Sequence, residues 1–206
     1  MKAKGSLMVA AAVAGVWLVH SGAQVALPPS PSAAQALGPG EHALTAADPL
    51  PPSAPVRFRI PRIGVDAPVR GLGLTRDDSL EAPPATDGGI TGWYRDGTPP
   101  GALGTALVAG HVDTARGPAV FYDLGTLHKG NRIEVLREDG RTALFTVDAV
   151  EVYDNAHFPD RKVYADTGRA ELRVITCGGR YDSRTGYRGN VVAYAHLTGV
   201  REAKTA

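Results

Sequence analysis

The one cysteine among 206 residues, Cys177, has the surroundings of a nucleophile. The stretch Glu171-Leu-Arg-Val-Ile-Thr-Cys177-Gly-Gly179 reads as a strand that ends on the thiol. Leu172, Val174 and Ile175 favour β structure, and the glycine pair stops the strand and turns the backbone. A lone cysteine on an apolar strand is ordinarily a small core residue. Its place at the edge of the element argues for chemistry instead. Attack on a carbonyl needs the thiolate, and an ordinary thiol with a pKa of about 8.5 is mostly protonated at neutral pH. Such a cysteine therefore needs a base and a cation brought from elsewhere in the chain.

His111 is the candidate base. The run Thr105-Ala-Leu-Val-Ala-Gly-His111-Val reads as a nearly continuous apolar strand that opens into a loop at the imidazole. The competing histidines are less well placed. His20 and His42 precede the folded region, His128 sits in a turn-like Leu127-His-Lys-Gly130, His157 lies in a long loop, and His196 is near the end of the last strand. Arg188, eleven residues beyond Cys177, is the candidate cation, because an antiparallel return strand brings it back toward the thiol; Arg180 and Arg184 share its loop. An imidazolium beside the sulfur favours thiolate and can protonate a leaving amine. A guanidinium can steady the oxyanion of a tetrahedral intermediate or hold the substrate backbone. No carboxylate is required, although Asp113 and Asp182 lie close in sequence to the proposed pair.

The elements that must position this trio lie between residues 56 and 200. Arg57-Phe-Arg-Ile60 alternates as a half-buried strand does, and Val65–Val69 is a second short strand. Gly71–Thr91 is turn-rich, followed by Trp93-Tyr94 and a loop through Pro99-Pro100-Gly101. Phe121–Leu127 is one short helical turn. Arg132–Arg137 and Ala143–Tyr153 alternate clearly, the second with Phe145, Val147, Ala149 and Glu151 on one face. Asn155–Gly168 reads as a long loop, and Asn190–Leu197 as the final strand. Seven or eight short strands with little helix predict a closed barrel or sandwich. Residues 201–206 form a short tail, with fraying expected from Val200 onward.

Composition narrows the rest. A formal charge of +1 gives no global attraction to nucleic acid, and 43 % hydrophobic residues suffice for one core. A single cysteine excludes an internal disulfide framework and any multi-cysteine metal site. Residues 1–26 carry Lys2 and Lys4 ahead of an apolar run from Leu7 to Val19, the outline of an export segment. Two outcomes stay open. Ser21-Gly22-Ala23 offers small residues for cleavage, or the segment persists as a membrane anchor with its lysines inside the cell. The uninterrupted run is short of the ~20 residues a span needs. Residues 27–55 hold eight of the sixteen prolines and only Glu41 and Asp48 as formal charges. That stretch predicts a disordered, semi-stiff Pro/Ala-rich tether.

At these residues the chain resembles a sortase, the cysteine transpeptidase of Gram-positive cell surfaces. The resemblance rests on Val174-Ile175-Thr176-Cys177, on Ala109-Gly110-His111-Val112-Asp113 and on Tyr187-Arg188-Gly-Asn-Val-Val192, in the family's order and behind an export segment. Gly92-Trp93-Tyr94, the His-Val-Asp and the Cys-Gly-Gly turn look most like the class F branch. The resemblance implies a mainly β fold, an eight-stranded closed barrel with one or two short helices. It implies catalysis by Cys177, His111 and Arg188, with Thr176 and Ala109 shaping the substrate groove. It further implies cleavage of a Leu-Pro-x-Thr-Gly-like sorting signal between Thr and Gly. The partners would be surface proteins carrying that signal and an amine acceptor such as a peptidoglycan precursor. The enzyme would sit at the cell membrane, attached through the N-terminus, with its catalytic domain on the wall side and no nucleic-acid partner. No cofactor or metal is expected, since the acidic cluster that some sortases use for calcium has no counterpart here.

Two other readings compete. An exported wall hydrolase or L,D-transpeptidase-like enzyme could use the same cysteine and histidine, but the Ser-x-Gly-Cys context of those transpeptidases is absent around Cys177. A non-catalytic anchored β-domain would keep Cys177 as a core thiol. The Asn155–Gly168 loop and the Gly71–Pro100 region are the expected groove walls.

Overall fold

The protein's structure, a computed structural model, describes residues 27–38, 46–76 and 79–203. Eight strands close into a barrel in the order β1-β2-β3-β4-β9-β10-β8-β7. These are β1 (Pro55–Ile60), β2 (Val65–Leu72), β3 (Thr91–Tyr94), β4 (Gly104–Ala109), β7 (Arg132–Arg137), β8 (Thr142–Asp154), β9 (Ala170–Asp182) and β10 (Gly186–Arg201). A two-stranded ribbon, β5 (Asp113–Thr114) with β6 (Gly117–Pro118), follows the proposed histidine. Of the barrel and the sandwich that the strand count left open, the structure takes the barrel, mainly β and closed, as the family resemblance implied. Its interior is apolar, with Phe58, Phe121, Phe145, Leu172 and Leu197 essentially sealed from solvent. Truncating one of these phenylalanines to alanine would cost about 3–5 kcal/mol in lost burial and cavity formation.

Helix is scarce. The Phe121–Leu127 turn is a 3-10 turn over Leu124–Thr126. The Asn155–Gly168 stretch is more ordered than a plain loop, with a 3-10 turn at Asn155–His157 and the short helix α1 (Asp160–Tyr164). Val163 of α1 is fully buried against Ala149, Val192 and Tyr194. A single apolar anchor thus pins the helix to the outer face of the barrel.

Three expectations change on contact with the fold. Phe145, Val147, Ala149 and Glu151 do not share a face. The β8–β10 register jumps from Tyr194↔Ala149 to Ala195↔Val147, so Asp148 is the extra residue of a bulge. Phe145 and Val147 point into the barrel, while Ala149 belongs to the outer cluster beneath α1. A bulge inserts one residue and flips everything beyond it to the opposite face. Secondly, β9 does not end at Cys177 but continues to Asp182 in a hairpin with β10, and β10 starts at Gly186 and runs to Arg201, into the expected tail. The glycine pair absorbs an irregularity in that ladder, between Tyr187↔Tyr181 and Gly189↔Gly178, and Gly179 takes φ +75° there. Glycine reaches that left-handed region at little cost, so the ladder bends and goes on.

The third change concerns the tether. Over the described residues, the 27–55 stretch is a docked strap and not a free spacer. The buried Gln35 side chain donates to the carbonyls of Gly125 (2.8 Å) and Leu127 (2.6 Å). Leu37 N–H donates to Glu151 (3.0 Å), Ala47 N–H to the Leu197 carbonyl (2.8 Å) and Leu50 N–H to the Gly101 carbonyl (2.8 Å). An extended proline-rich chain keeps its backbone polar groups unpaired internally, so it can hand them to a neighbouring surface. The export segment expected at residues 1–26 lies outside the described residues. Among the described residues no helix is long and apolar enough to cross a membrane.

Candidate active site on the outer wall

The site forms where β4, β9 and β10 lie side by side. The parallel β4–β9 ladder pairs Gly104↔Ala170 through Ala109↔Ile175, a constant offset of 66 positions. Carried two residues further, the same offset sets His111 level with Cys177. The backbone keeps that alignment, because Gly110 N–H donates to the Ile175 carbonyl (3.2 Å) and Thr176 Oγ1 to the Gly110 carbonyl (2.8 Å). Gly110 is close against the core: a Cβ there would fall 2.6 Å from the Phe121 ring. Phe121 N–H in turn donates to the His111 carbonyl (3.0 Å), so the residue before and the backbone of the histidine itself are both fixed.

Cys177 and His111 line one open cleft of about 300 Å³. Its floor includes Ala109, Ile175 and Thr176, and its walls come from Ser79–Pro83 on one side and Tyr164 of α1 on the other. Both expected groove walls therefore contribute, as do Thr176 and Ala109. Thr176 also does something its sequence context did not suggest, by tying β9 to the segment that carries the histidine.

The electrostatics differ from the expected imidazolium-stabilised thiolate. Burial pushes the Cys177 thiol up, and the Asp113 carboxylate pushes it the same way. Because the residue is exposed, water reaches it and weakens the burial contribution. Both influences still favour the neutral thiol at rest. His111 Nε2 lies 2.7 Å from the Pro83 carbonyl oxygen. A carbonyl only accepts, so Nε2 carries a proton, and in the neutral ring Nδ1 is left as the basic nitrogen. Asp113 accepts a hydrogen bond from the Tyr187 hydroxyl, whose pKa is raised by burial and then by that carboxylate.

Arg188 is not among the residues lining the cleft. It lies inside β10 and not ahead of it, at the irregular pairing between Tyr187 and Gly189. Asn190 is the residue directly opposite Cys177. Arg188 is two positions from Asn190 along the same strand, hence on the same face and about 7 Å further along. It is exposed, and its guanidinium makes no hydrogen bond or ion pair among the described residues. The guanidinium is therefore not held against the thiol by the protein. Asn190, which reasoning from sequence passed over, donates to Asn155 Oδ1 (2.9 Å) and forms part of the cleft. The register would have found it, but the extent of the hairpin was hidden by the glycines. Among the described residues no group of three or more His, Cys, Asp or Glu side chains is arranged to hold a metal.

Comparison with known proteins gives a consistent picture. No curated protein matches the sequence. The fold is similar to sortase A of Listeria monocytogenes, with a TM-score of 0.55 at 19 % identity over 74 % of this chain and 92 % of that one. It is also similar to a lid mutant of sortase A from Corynebacterium diphtheriae (0.54, 18 %, 74 % and 73 %). A third similar structure is a Clostridium perfringens sortase D5 transpeptidase (0.51, 18 %, 71 % and 79 %). At such identities the likeness establishes the fold alone. A family model described as the sortase domain matches residues 58–198, which span the barrel from β1 to β10, and the chain belongs to the sortase family.

Proposed function

We propose that the protein is a cysteine transpeptidase in which Cys177, His111 and Arg188 act on a Leu-Pro-x-Thr-Gly-like sorting signal. The observation that carries this reading is the constant offset of the β4–β9 ladder, which sets an imidazole and the chain's one thiol abreast in a single open cleft. The resting thiol is neutral, so His111 first takes its proton at Nδ1, the ring nitrogen not engaged with Pro83. The sulfur attacks the Thr carbonyl carbon, and the Thr–Gly amide breaks. The leaving amine takes the proton from His111, and a thioester remains on Cys177. An amine of the cell wall, such as one on a peptidoglycan precursor, then attacks the thioester, forms a new amide and returns the proton to sulfur. Arg188 swings from its exposed position to hold the substrate backbone or the oxyanion. Catalysis would take place on the wall side of the membrane, to which the N-terminal segment attaches the barrel. Residues 27–55 form the connection, 56–200 the catalytic domain and 201–206 the tail. Gly92-Trp93-Tyr94, His111-Val112-Asp113 and Cys177-Gly-Gly support a placement near class F.

The test mixes the full chain with a Leu-Pro-x-Thr-Gly peptide and an oligoglycine amine and follows products by mass. Ligated product together with a hydroxylamine-sensitive adduct on Cys177 is the expected outcome. Cleavage of wall stem peptides in its place would assign the cleft to a hydrolase or L,D-transpeptidase-like enzyme. A thiol that alkylates only after denaturation would leave a non-catalytic β-domain.

A further inference from the structure

A second cleft, of about 290 Å³, opens on the far side of α1 from Cys177 and is lined by Arg161, Lys162, Arg169, Arg173, Glu171 and Asp148. It lies on the same outer face of β9 as the thiol, four residues or roughly 14 Å back along the strand. Most of its charges are paired, and basic side chains dominate the lining. Arg169 and Arg173 both pair with Glu171, the second at 2.6 Å, so two guanidinium groups share one carboxylate. Lys162 pairs with Glu151 (2.6 Å), and Asp148 is taken by His196 (2.6 Å). The Arg161 guanidinium has no hydrogen bond or ion pair among the described residues.

The decisive group is Arg173. Its side chain is only 5 % exposed, it stacks on the Tyr194 ring at 4.7 Å, and its Nε has no hydrogen-bond partner. Burying an Arg with an unsatisfied donor is costly unless something compensates. Burial also works against the Glu171 carboxylate, yet Arg173 and then Arg169 hold its pKa below the usual range, so it stays charged. A strand that carries Glu171 and Arg173, beside a helix carrying Arg161 and Lys162, brings four basic side chains, Arg169 included, to one cleft. Planar guanidinium groups match carboxylate and phosphoryl oxygens in such a geometry.

We propose that this cleft is a binding site for a small oxyanion, a phosphoryl or carboxylate group, held by Arg161 and Lys162 from α1 and by the Arg169–Arg173 pair from below. The site is independent of the thiol chemistry, and α1 is the wall common to both clefts. The test is a titration of the isotope-labelled full chain with inorganic phosphate and, separately, with glutarate, each against sodium chloride at matched ionic strength. Saturable shifts of the backbone amides of residues 161–173 are expected. Phosphate alone producing them assigns a phosphoryl ligand, and glutarate doing so equally assigns a carboxylate. Arg161→Glu, an exposed substitution that leaves the barrel intact, should weaken binding at least about tenfold, the loss of one charge-assisted contact. Cys177→Ala should leave binding unchanged, whether or not the enzyme proves to be a transpeptidase. No saturable response beyond chloride, unaltered binding by Arg161→Glu, or shifts confined to the thiol cleft would each overturn the site.

Discussion

The two clefts on either side of α1 use the same strands for opposite ends. In the thiol cleft Cys177 forms no ion pair among the described residues, and the His111 ring meets only the Pro83 carbonyl. In the charged cleft nearly every ionised group is neutralised by a neighbour, and Glu171 and Arg173 are both 5 % exposed. Reactive groups must be left with unspent capacity, since a nucleophile tied up in a hydrogen bond cannot attack. Buried charges must be paired, since a stranded one weakens the fold. Along β9 the change from one regime to the other takes two residues either side of Ile175. Substitution of Cys177 or His111 should therefore cost activity and spare stability, and substitution within the buried Glu171–Arg173 pair should do the reverse.

The sharpest test is Cys177→Ala, which should abolish both peptide ligation and the thioester adduct while leaving the unfolding midpoint unchanged. His111→Ala should be nearly as severe by the same product assay. Glu171→Gln is the converse. It removes the shared carboxylate from two guanidinium groups and should lower stability by about 3–5 kcal/mol in denaturant titration, with ligation by the folded protein retained. Arg188→Ala should reduce kcat/KM about a hundred- to a thousandfold, the usual cost of one oxyanion donor. An Arg188 that only binds the ground state would raise KM and leave kcat alone. The smallest effect is expected from Asp113→Asn. The Asp113 carboxylate raises the thiol pKa, so its neutralisation should lower that pKa and move the pH profile of Cys177 alkylation toward lower pH. A shift toward higher pH would mean that Asp113 acts by positioning His111 instead.

Much of this was legible from residue types. A barrel or sandwich followed from alternating strands, and the placing of Cys177 and His111 in one cleft from a single cysteine and a histidine near the ends of apolar runs. What escaped notice had no mark in composition. The bulge at Asp148 reverses the facing of Ala149 and Glu151, yet the alternation reads smoothly across it. Gly178-Gly179 looks the same whether it ends a strand or bends one, and the choice depended on the partner β10. The 27–55 stretch has a spacer's composition, but one Gln35 amide and a few exposed backbone groups suffice to bind it to the barrel. The charged cleft left a faint signal. Glu171, Arg173, Ile175 and Cys177 alternate with Leu172, Val174 and Thr176, and charged residues on an outward face look merely solvated until Tyr194 and α1 are seen above them.

The docked strap has one more consequence. Pro28 and Pro29 share a narrow crevice with Cys177, Gly178 and Gly179. The polypeptide thus reaches the barrel at the rim that bears the sulfur, then runs away from it toward Leu37 and the second cleft. Pro28 and Pro29 are therefore part of the wall around the sulfur, and a change of either proline would reshape the crevice behind the thiol without touching the barrel strands.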